Sequence, residues 1–119
     1  MCTVPKIIQH IKTIPKDINV KNTCGTIKYS DKGYIYASNR CHDSIAIFKI
    51  SKNHLLELKD INPTYGKIPR HFEINEDSSK LYVANQDSNK VVVFKILKDK
   101  LKILDTIMCN SPNFVLCLN

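Results

Sequence analysis

The chain has 119 residues, 43% of them hydrophobic, and carries a formal net charge of +7 at pH 7. This length fits at most one domain, and no apolar run approaches the roughly 20 residues of a membrane-spanning helix. The first ten residues contain no apolar signal-peptide core, so we expect a cytoplasmic protein that has no membrane partner.

The positive charge comes almost entirely from lysine. The sequence contains sixteen Lys and only two Arg, which are Arg40 and Arg70. The lysines are scattered along the chain, without the block of five or six like charges that typifies a basic tail. Because a nucleic-acid recognition motif is also missing, we expect no nucleic-acid partner.

The cysteines form no metal-binding or disulfide pattern. They are odd in number and contain no CxxC pair: Cys2, Cys24, Cys41, Cys109 and Cys117. This spacing argues against a zinc site, and the missing secretion signal argues against a disulfide framework. We therefore expect reduced, mostly buried thiols, no metal site and no cofactor.

Short strands separated by turn residues follow one another along the chain, and segments with helical periodicity are absent. The predicted strands, in chain order, are Ile7 to Ile14, a segment around Ile27 and Tyr29, Tyr34 to Ser38, Ser44 to Ile50, His54 to Ile61, His71 to Asn75, Leu81 to Ala84, Lys90 to Leu97, Lys100 to Met108 and Pro112 to Leu118. This pattern predicts an all-β fold.

Part of the sequence is repeated. Residues 33–50, GYIYASNRCHDSIAIFKI, match residues 79–96, SKLYVANQDSNKVVVFKI, at an offset of 46 residues. Strand-rich repeats of about 40–50 residues are typical of β-propellers, in which each repeat forms one blade. A β-sandwich of short strands is the alternative, and the repeat argues against it.

The repeat predicts a partial propeller. We expect one unit over residues 1–119, with two four-stranded antiparallel blades at about 24–61 and 70–108. Residues 7–14 would be the outer strand of a preceding blade, and 111–118 the closing strand of a following one. Since propellers close with about four to eight blades, two blades leave open edges. The chain would then be the C-terminal fragment of a longer protein, or it would self-associate through those edges.

Three motifs carry a resemblance to a known family: SNRCHDSIA at 38–46, GKIPRHF at 66–72 and ANQDSNKVVVF at 84–94. Together they resemble the seven-bladed β-propeller lactonases of the 6-phosphogluconolactonase type, over about Ile7 to Leu118. The matched part corresponds to the last third of a family member. The resemblance implies hydrolysis of 6-phosphoglucono-δ-lactone, a small anionic sugar lactone, in the pentose phosphate pathway. Carboxymuconate lactone-cyclising enzymes share the motif and are an alternative.

The predicted topology brings the polar motifs to one rim. In an up-and-down blade, the turn between the second and third strands and the link to the next blade lie at the same end. Loops on a rigid scaffold commonly carry binding residues. The candidate residues at this rim are Arg40, His42, Lys67, Arg70, Asn85 and Gln86.

The chemistry of these residues suits an anionic lactone. Arginine binds phosphate or carboxylate through two parallel hydrogen bonds, and a fixed cation stabilises the oxyanion that forms on ring opening. The resemblance implies that Arg40 and His42 are catalytic, His42 as acid or base, and that Arg70 binds substrate. Lys67, Asn85 and Gln86 are secondary binding candidates.

Other interpretations remain open at this stage. The arginines can be ordinary surface residues, and His42 can simply cap the turn with Asp43. Cys41 lies where the family often has Gly; a role as nucleophile is disfavoured because adjacent side chains at a strand end point apart. His71 lies where the family often has an acidic residue. The whole unit can also be a non-enzymatic propeller module or an inactive remnant.

Overall fold

The computed structural model describes residues 3–118, whose regular secondary structure is almost entirely β-strand. The strands are β1 (Thr23–Ser30), β2 (Tyr34–Arg40), β3 (Ser44–Ile50), β4 (Leu56–Pro63), β5 (Pro69–Ile74), β6 (Lys80–Asn85), β7 (Lys90–Leu97) and β8 (Lys100–Met108). A single 3₁₀ turn spans Gln86–Ser88. The predicted all-β class is confirmed, and none of the described residues forms a helix able to cross a membrane.

The strands form two separate antiparallel sheets, ordered β1-β2-β3-β4 and β5-β6-β7-β8. Corresponding pairs recur in the two sheets: Tyr36 lies opposite Ile47 in the first, and Tyr82 lies opposite Val93 in the second. The 46-residue sequence repeat is therefore also a structural repeat. Each sheet is one propeller blade, and the chain is a partial propeller.

The two blades pack face to face and enclose the main hydrophobic core. Because side chains alternate between the faces of a strand, every second residue of each central strand points to the other blade. The buried cluster contains Tyr36, Ile45 and Ile47 from the first blade, and Phe72, Leu81, Val83, Val92 and Phe94 from the second. Burying each such side chain stabilises the fold by about 1.5–3 kcal/mol. This interface fixes the relative position of the blades and of their loops.

The opposite face of the first blade has a smaller apolar cluster, built on Ala37, Ala46 and Phe48. Ile27 and Tyr29 lie on the same face, since they pair with Ala37 and Ile35, but they stay 68% and 65% exposed. This face therefore remains partly open in the described chain.

The N-terminal segment is attached to the first blade by side-chain contacts. The Gln9 amide group donates to the Leu56 carbonyl at 2.8 Å and accepts from the Leu56 N–H at 2.7 Å. The Asn39 side chain donates to the Thr13 carbonyl at 2.7 Å. In the second blade, Asn85 donates in the same way to the carbonyl of Thr64, the first residue after β4. Thr13 thus occupies the position of a residue that follows an outer strand.

Two predicted strands are wrong, because residues 7–14 and 112–118 form no strand in the structure. A strand is defined by a hydrogen-bonded ladder, and neither segment has a partner strand among residues 3–118. The C-terminal segment is held instead through His71. That ring stacks on Phe114 at 4.3 Å and accepts the Val115 N–H at 3.1 Å.

The prediction of mostly buried thiols is also wrong. Cys24, Cys41 and Cys109 are exposed, and Cys117 is half-buried. They lie at strand ends or in the terminal segment, where neither blade covers them. Cys2 lies outside the described residues.

Candidate functional site

The β2–β3 turn is joined to the β4–β5 link through Asp43. The Asp43 carboxylate accepts the Ile68 N–H at 2.9 Å and the Cys41 N–H at 3.2 Å. Its carbonyl accepts the Thr64 N–H at 3.0 Å. Asp43 adopts the left-handed conformation, with φ of 58°, which aspartate and asparagine tolerate better than most residues. One residue, through its carbonyl and its carboxylate, therefore fixes both ends of the link that leads into the second blade.

The same link is joined to the 3₁₀ turn of the second blade. The N–H groups of Gln86 and Asp87 donate to the carbonyls of Ile68 and Lys67 at 3.0 and 3.1 Å. The Lys67 N–H donates to the Ser88 hydroxyl at 2.6 Å. The β2–β3 turn, the link 64–68 and the 3₁₀ turn thus form one connected surface, here called the rim.

The second blade repeats the Asp43 arrangement with Asn89, 46 residues later. Asn89 also has a left-handed conformation, with φ of 54°. Its side-chain oxygen accepts the Ser111 N–H at 3.0 Å, and its carbonyl accepts the Cys109 N–H at 3.1 Å. Ser111 precedes Pro112 as Ile68 precedes Pro69, and both Ser111 and Ile68 have positive φ. The start of the segment after β8 therefore resembles the end of the link between the two blades.

His42 lies in the β2–β3 turn and is held on both sides. Its backbone N–H donates to the Asn22 side chain at 3.2 Å, and its Nδ1 lies 2.7 Å from the Ser44 hydroxyl oxygen. That buried oxygen already accepts a hydrogen bond from the Asn39 amide group at 3.0 Å. Ser44 keeps its own proton and can donate it to Nδ1; in that arrangement the proton of the neutral ring lies on Nε2.

The sequence does not predict this network; the interpretation that it offers for His42 is a cap of the turn together with Asp43. The 46-residue repeat holds a signal for part of it, since Asn39 corresponds to the equally buried Asn85. Nothing in the repeat indicates the contact between Ser44 and His42, because position 90 in the second blade is Lys.

The two arginines contact the same short stretch of β1. Arg40 donates from Nη2 to the Cys24 carbonyl at 3.2 Å. A Cβ on the next residue, Gly25, would lie 2.9 Å from the Arg70 carbonyl, so β1 and β5 approach closely there. The Arg40 Nε is buried and has no hydrogen-bond partner among residues 3–118, whereas the Arg70 side chain is exposed. Arg70 approaches β1 through its backbone, so its exposed guanidinium is open to solvent, whereas Arg40 uses one guanidinium nitrogen on the Cys24 carbonyl and keeps its Nε buried.

The secondary candidates are divided between the surface and the interior. Lys67 is exposed and Gln86 is half-buried on the rim. Asn85 is fully buried, and a Cβ on Gly66 would lie 2.6 Å from its Cγ. The Asn85 side chain therefore supports the link, and a direct contact with a substrate would require Gly66 to move.

Cys41 and His71 have structural explanations. Cys41 has φ of 87°, which accounts for glycine at this position in the family that the sequence resembles. The His42 ring bonds to Ser44, so no base is paired with the Cys41 thiol among the described residues. The pKa of His71 is lowered mainly by burial and to a smaller extent by the positive charge of nearby Lys28. The lowered pKa favours the neutral ring, which accepts the Val115 N–H.

Metal binding has no support within residues 3–118, where no group of three or more His, Cys, Asp or Glu side chains could hold an ion. The rim and the adjoining strand ends carry cationic and neutral hydrogen-bond donors. They are the two guanidinium groups, the imidazole of His42 and the exposed ammonium of Lys67.

Comparison with known proteins gives a consistent result. Residues 5–117 match the family model described as "Lactonase, 7-bladed beta-propeller". A Lactococcus lactis subsp. cremoris protein is 40% identical over 95 residues, which are 78% of this chain and 27% of the relative. The 6-phosphogluconolactonase of Formosa agariphila is 48% identical over 68 residues, 55% of this chain and 19% of that protein.

A solved structure shares the fold as well. The crystal structure of a Lactobacillus plantarum protein superposes with a TM-score of 0.80 at 27% identity, covering 85% of this chain and 31% of that one. The chain spans about a third or less of the length of the relatives it matches. With two blades that repeat one another and a match over residues 5–117, the chain belongs to the lactonase family of seven-bladed β-propellers.

Proposed function

We propose that the rim contributes to a site that hydrolyses 6-phosphoglucono-δ-lactone. The observation that carries the proposal is the position of Arg40 and Arg70, the only arginines of the chain, on either side of Cys24 and Gly25. The family and the Formosa agariphila relative support lactone hydrolysis in general, and the phosphate group of this substrate suits an arginine clamp.

Each rim residue has a defined task in the proposed reaction. Water adds to the lactone carbonyl, and the negative charge that develops on its oxygen is stabilised by the Arg40 guanidinium. Arg70 binds the phosphate through two hydrogen bonds. As the bond between the carbonyl carbon and the ring oxygen breaks, His42 donates its Nε2 proton to that oxygen.

With Ser44 donating to Nδ1, His42 acts as a proton donor in the proposed reaction. While Ser44 donates to Nδ1, the neutral ring has no free lone pair with which to activate water. The base that takes the proton of the attacking water would come from other blades of a complete ring, because a channel site draws on several blades. On this proposal the chain supplies the groups that stabilise the carbonyl oxyanion and protonate the leaving oxygen.

A carboxymuconate lactone is a second candidate substrate. It carries carboxylates where the sugar lactone carries phosphate, and the same guanidinium groups would bind either anion. The isolated chain can also bind a lactone without hydrolysing it. Its short length favours this third outcome, because it spans about a third or less of the relatives it matches. Competition between the two lactones separates the first two candidates.

The test uses the 119-residue chain and a chimera in which residues 5–117 replace the corresponding segment of the Formosa agariphila enzyme. Lactone hydrolysis is followed above the spontaneous rate. In the chimera we expect Arg40→Lys and Arg70→Lys to lower kcat/KM at least about tenfold, since a hydrogen bond to a charged group contributes about 1.5–3 kcal/mol.

The matched control is Lys95→Met, which removes an exposed cation at the other end of β7 and should change kcat/KM less than threefold. A chimera that keeps full activity after Arg40→Ala and Arg70→Ala would overturn the proposal. Activity of the chimera together with inactivity of the isolated chain would support a site shared between blades.

A further inference from the structure

A cavity lies between the two blades at the end opposite the rim. It has a volume of about 490 Å³ and is formed by the β1–β2, β5–β6 and β7–β8 turns and by the neighbouring strand ends. Both of its walls come from the described blades, so it does not depend on any further blade. Its polar lining includes Lys32, Lys49, Lys98, Tyr34, Tyr36 and Ser78. We call this cavity the base pocket.

The base pocket has an excess of positive charge. Three lysines line it. The Lys49 ammonium group lies 4.3 Å from the centre of the Tyr34 ring, and this cation–π contact positions the side chain. The neighbouring carboxylates already have donors: Asp99 accepts from the Tyr34 hydroxyl at 2.7 Å, and Asp77 accepts from Ser79. These carboxylates stay negatively charged while they accept from neutral hydroxyl groups, but the lining of the cavity itself contains the three lysines and no carboxylate.

Tyr36 provides an independent observation. Its side chain is only 1% exposed and lines the pocket, yet its hydroxyl takes part in no hydrogen bond with any residue from 3 to 118. Burial is the main reason that the pKa of Tyr36 rises to about 12, so the phenol stays neutral and keeps its proton. The hydroxyl oxygen is not among the buried polar atoms that lack a partner, so it reaches the cavity and is free to donate to a molecule bound there.

We propose that the base pocket binds a small molecule bearing a phosphate monoester, independently of the rim. Lysine binds phosphate as a point charge, and three lysines suit a dianion better than a single carboxylate. The Tyr36 hydroxyl and the Ser78 hydroxyl would add neutral donors. The volume exceeds that of inorganic phosphate alone, and Ile96 with the Tyr34 ring offers an apolar wall for the organic part.

The test is a titration of the 119-residue chain with inorganic phosphate and with phenyl phosphate, followed by amide NMR. We expect saturable shifts at residues 30–36, 78–79 and 96–98, and tighter binding of phenyl phosphate because its ring contacts the apolar wall. Lys49→Met and Tyr36→Phe should each weaken phenyl phosphate binding about tenfold, and added salt should weaken it further.

The chain provides a matched control in Lys95, which corresponds to Lys49 in the second blade and is exposed. Lys95→Met should bind phenyl phosphate as tightly as the unaltered chain. Circular dichroism verifies that each variant retains its strands, and both Lys49→Met and Tyr36→Phe conserve the apolar part of the side chain.

Three outcomes would overturn the proposal. They are no saturable shift, equal losses in Lys49→Met and Lys95→Met, and unchanged affinity in Tyr36→Phe. Loss of the shifts after Arg40→Ala or Arg70→Ala would place the binding at the rim and would also overturn the proposal. Because the readout is residue by residue, a failure of the base pocket and a failure of the proposed lactonase function are distinguishable.

Discussion

Asp43 offers a direct perturbation of the connection between the blades. Asp43→Ala removes the acceptor of the Ile68 N–H, a partly buried bond of 2.9 Å, and of the exposed Cys41 N–H. The first bond contributes about 1–1.5 kcal/mol, and the exposed one contributes less, about 0.5 kcal/mol. Alanine at φ of 58° adds about 1 kcal/mol of backbone strain. The sum predicts a loss of about 2.5–3 kcal/mol in the free energy of unfolding.

Asp43→Asn is the matched control, because the chain already uses asparagine in this role at Asn89. Asparagine keeps an acceptor oxygen and tolerates the left-handed conformation, so we expect a loss below about 1 kcal/mol. Urea unfolding followed by circular dichroism measures both changes. With a slope of about 1.5 kcal/mol per M, the alanine variant should unfold at roughly 1–2 M less urea.

Hydrogen exchange localises the effect. The Ile68 amide should exchange faster in Asp43→Ala than in Asp43→Asn, because only the alanine variant lacks its acceptor. Equal stability of the two variants would refute the reasoning. So would an Ile68 amide that stays protected in Asp43→Ala.

Three further predictions concern other parts of the molecule. Gly66→Ala should lower the free energy of unfolding by about 1–3 kcal/mol, measured by urea unfolding, because its Cβ would meet the buried Asn85 side chain at 2.6 Å. The pKa of His71 is lowered below 6.5, so its contribution to stability is present above about pH 6.5 and is lost as the pH falls through the lowered value. A Val115 amide signal that does not change as His71 titrates would contradict this. Exposed Ile27 on the open face of the first blade predicts self-association, which light scattering should detect and Ile27→Lys should weaken; a constant monomer mass would count against it.

The fold was largely predictable because the sequence repeats a complete blade. Ser44–Ile50, Lys90–Leu97 and Lys100–Met108 agree with the predicted strands to the residue. The segments 7–14 and 112–118 have a similar apolar pattern, yet they form no strand. Strand formation depends on a neighbouring strand, and a local pattern carries no information about whether that neighbour is present.

The site was predictable in its location more than in its contacts. The topology of an up-and-down blade places the turn at His42 and the link at Arg70 at one end, and the hydrogen bonds through Asp43 do join that turn to that link. The hydrogen bond between Ser44 and the His42 ring depends on side-chain geometry that no spacing rule supplies.

The base pocket was hidden in the sequence for a related reason. Its three lysines are far apart along the chain, where they belong to the scattered positive charge of the sequence: Lys32, Lys49 and Lys98. They converge because three turns of two different blades meet at one end. Such convergence follows from the packing of the blades, which is known only once the structure is in hand.

The central claim is that the rim of this chain binds an anionic sugar acid or lactone through Arg40 and Arg70. Titration of the 119-residue chain with 6-phosphogluconate, followed by amide NMR, tests it most directly, since this product is stable in water. We predict saturable shifts at residues 40–43 and 66–70 that disappear in Arg40→Ala and Arg70→Ala. Shifts confined to residues outside the rim, or rim shifts that persist in both variants, would contradict the claim.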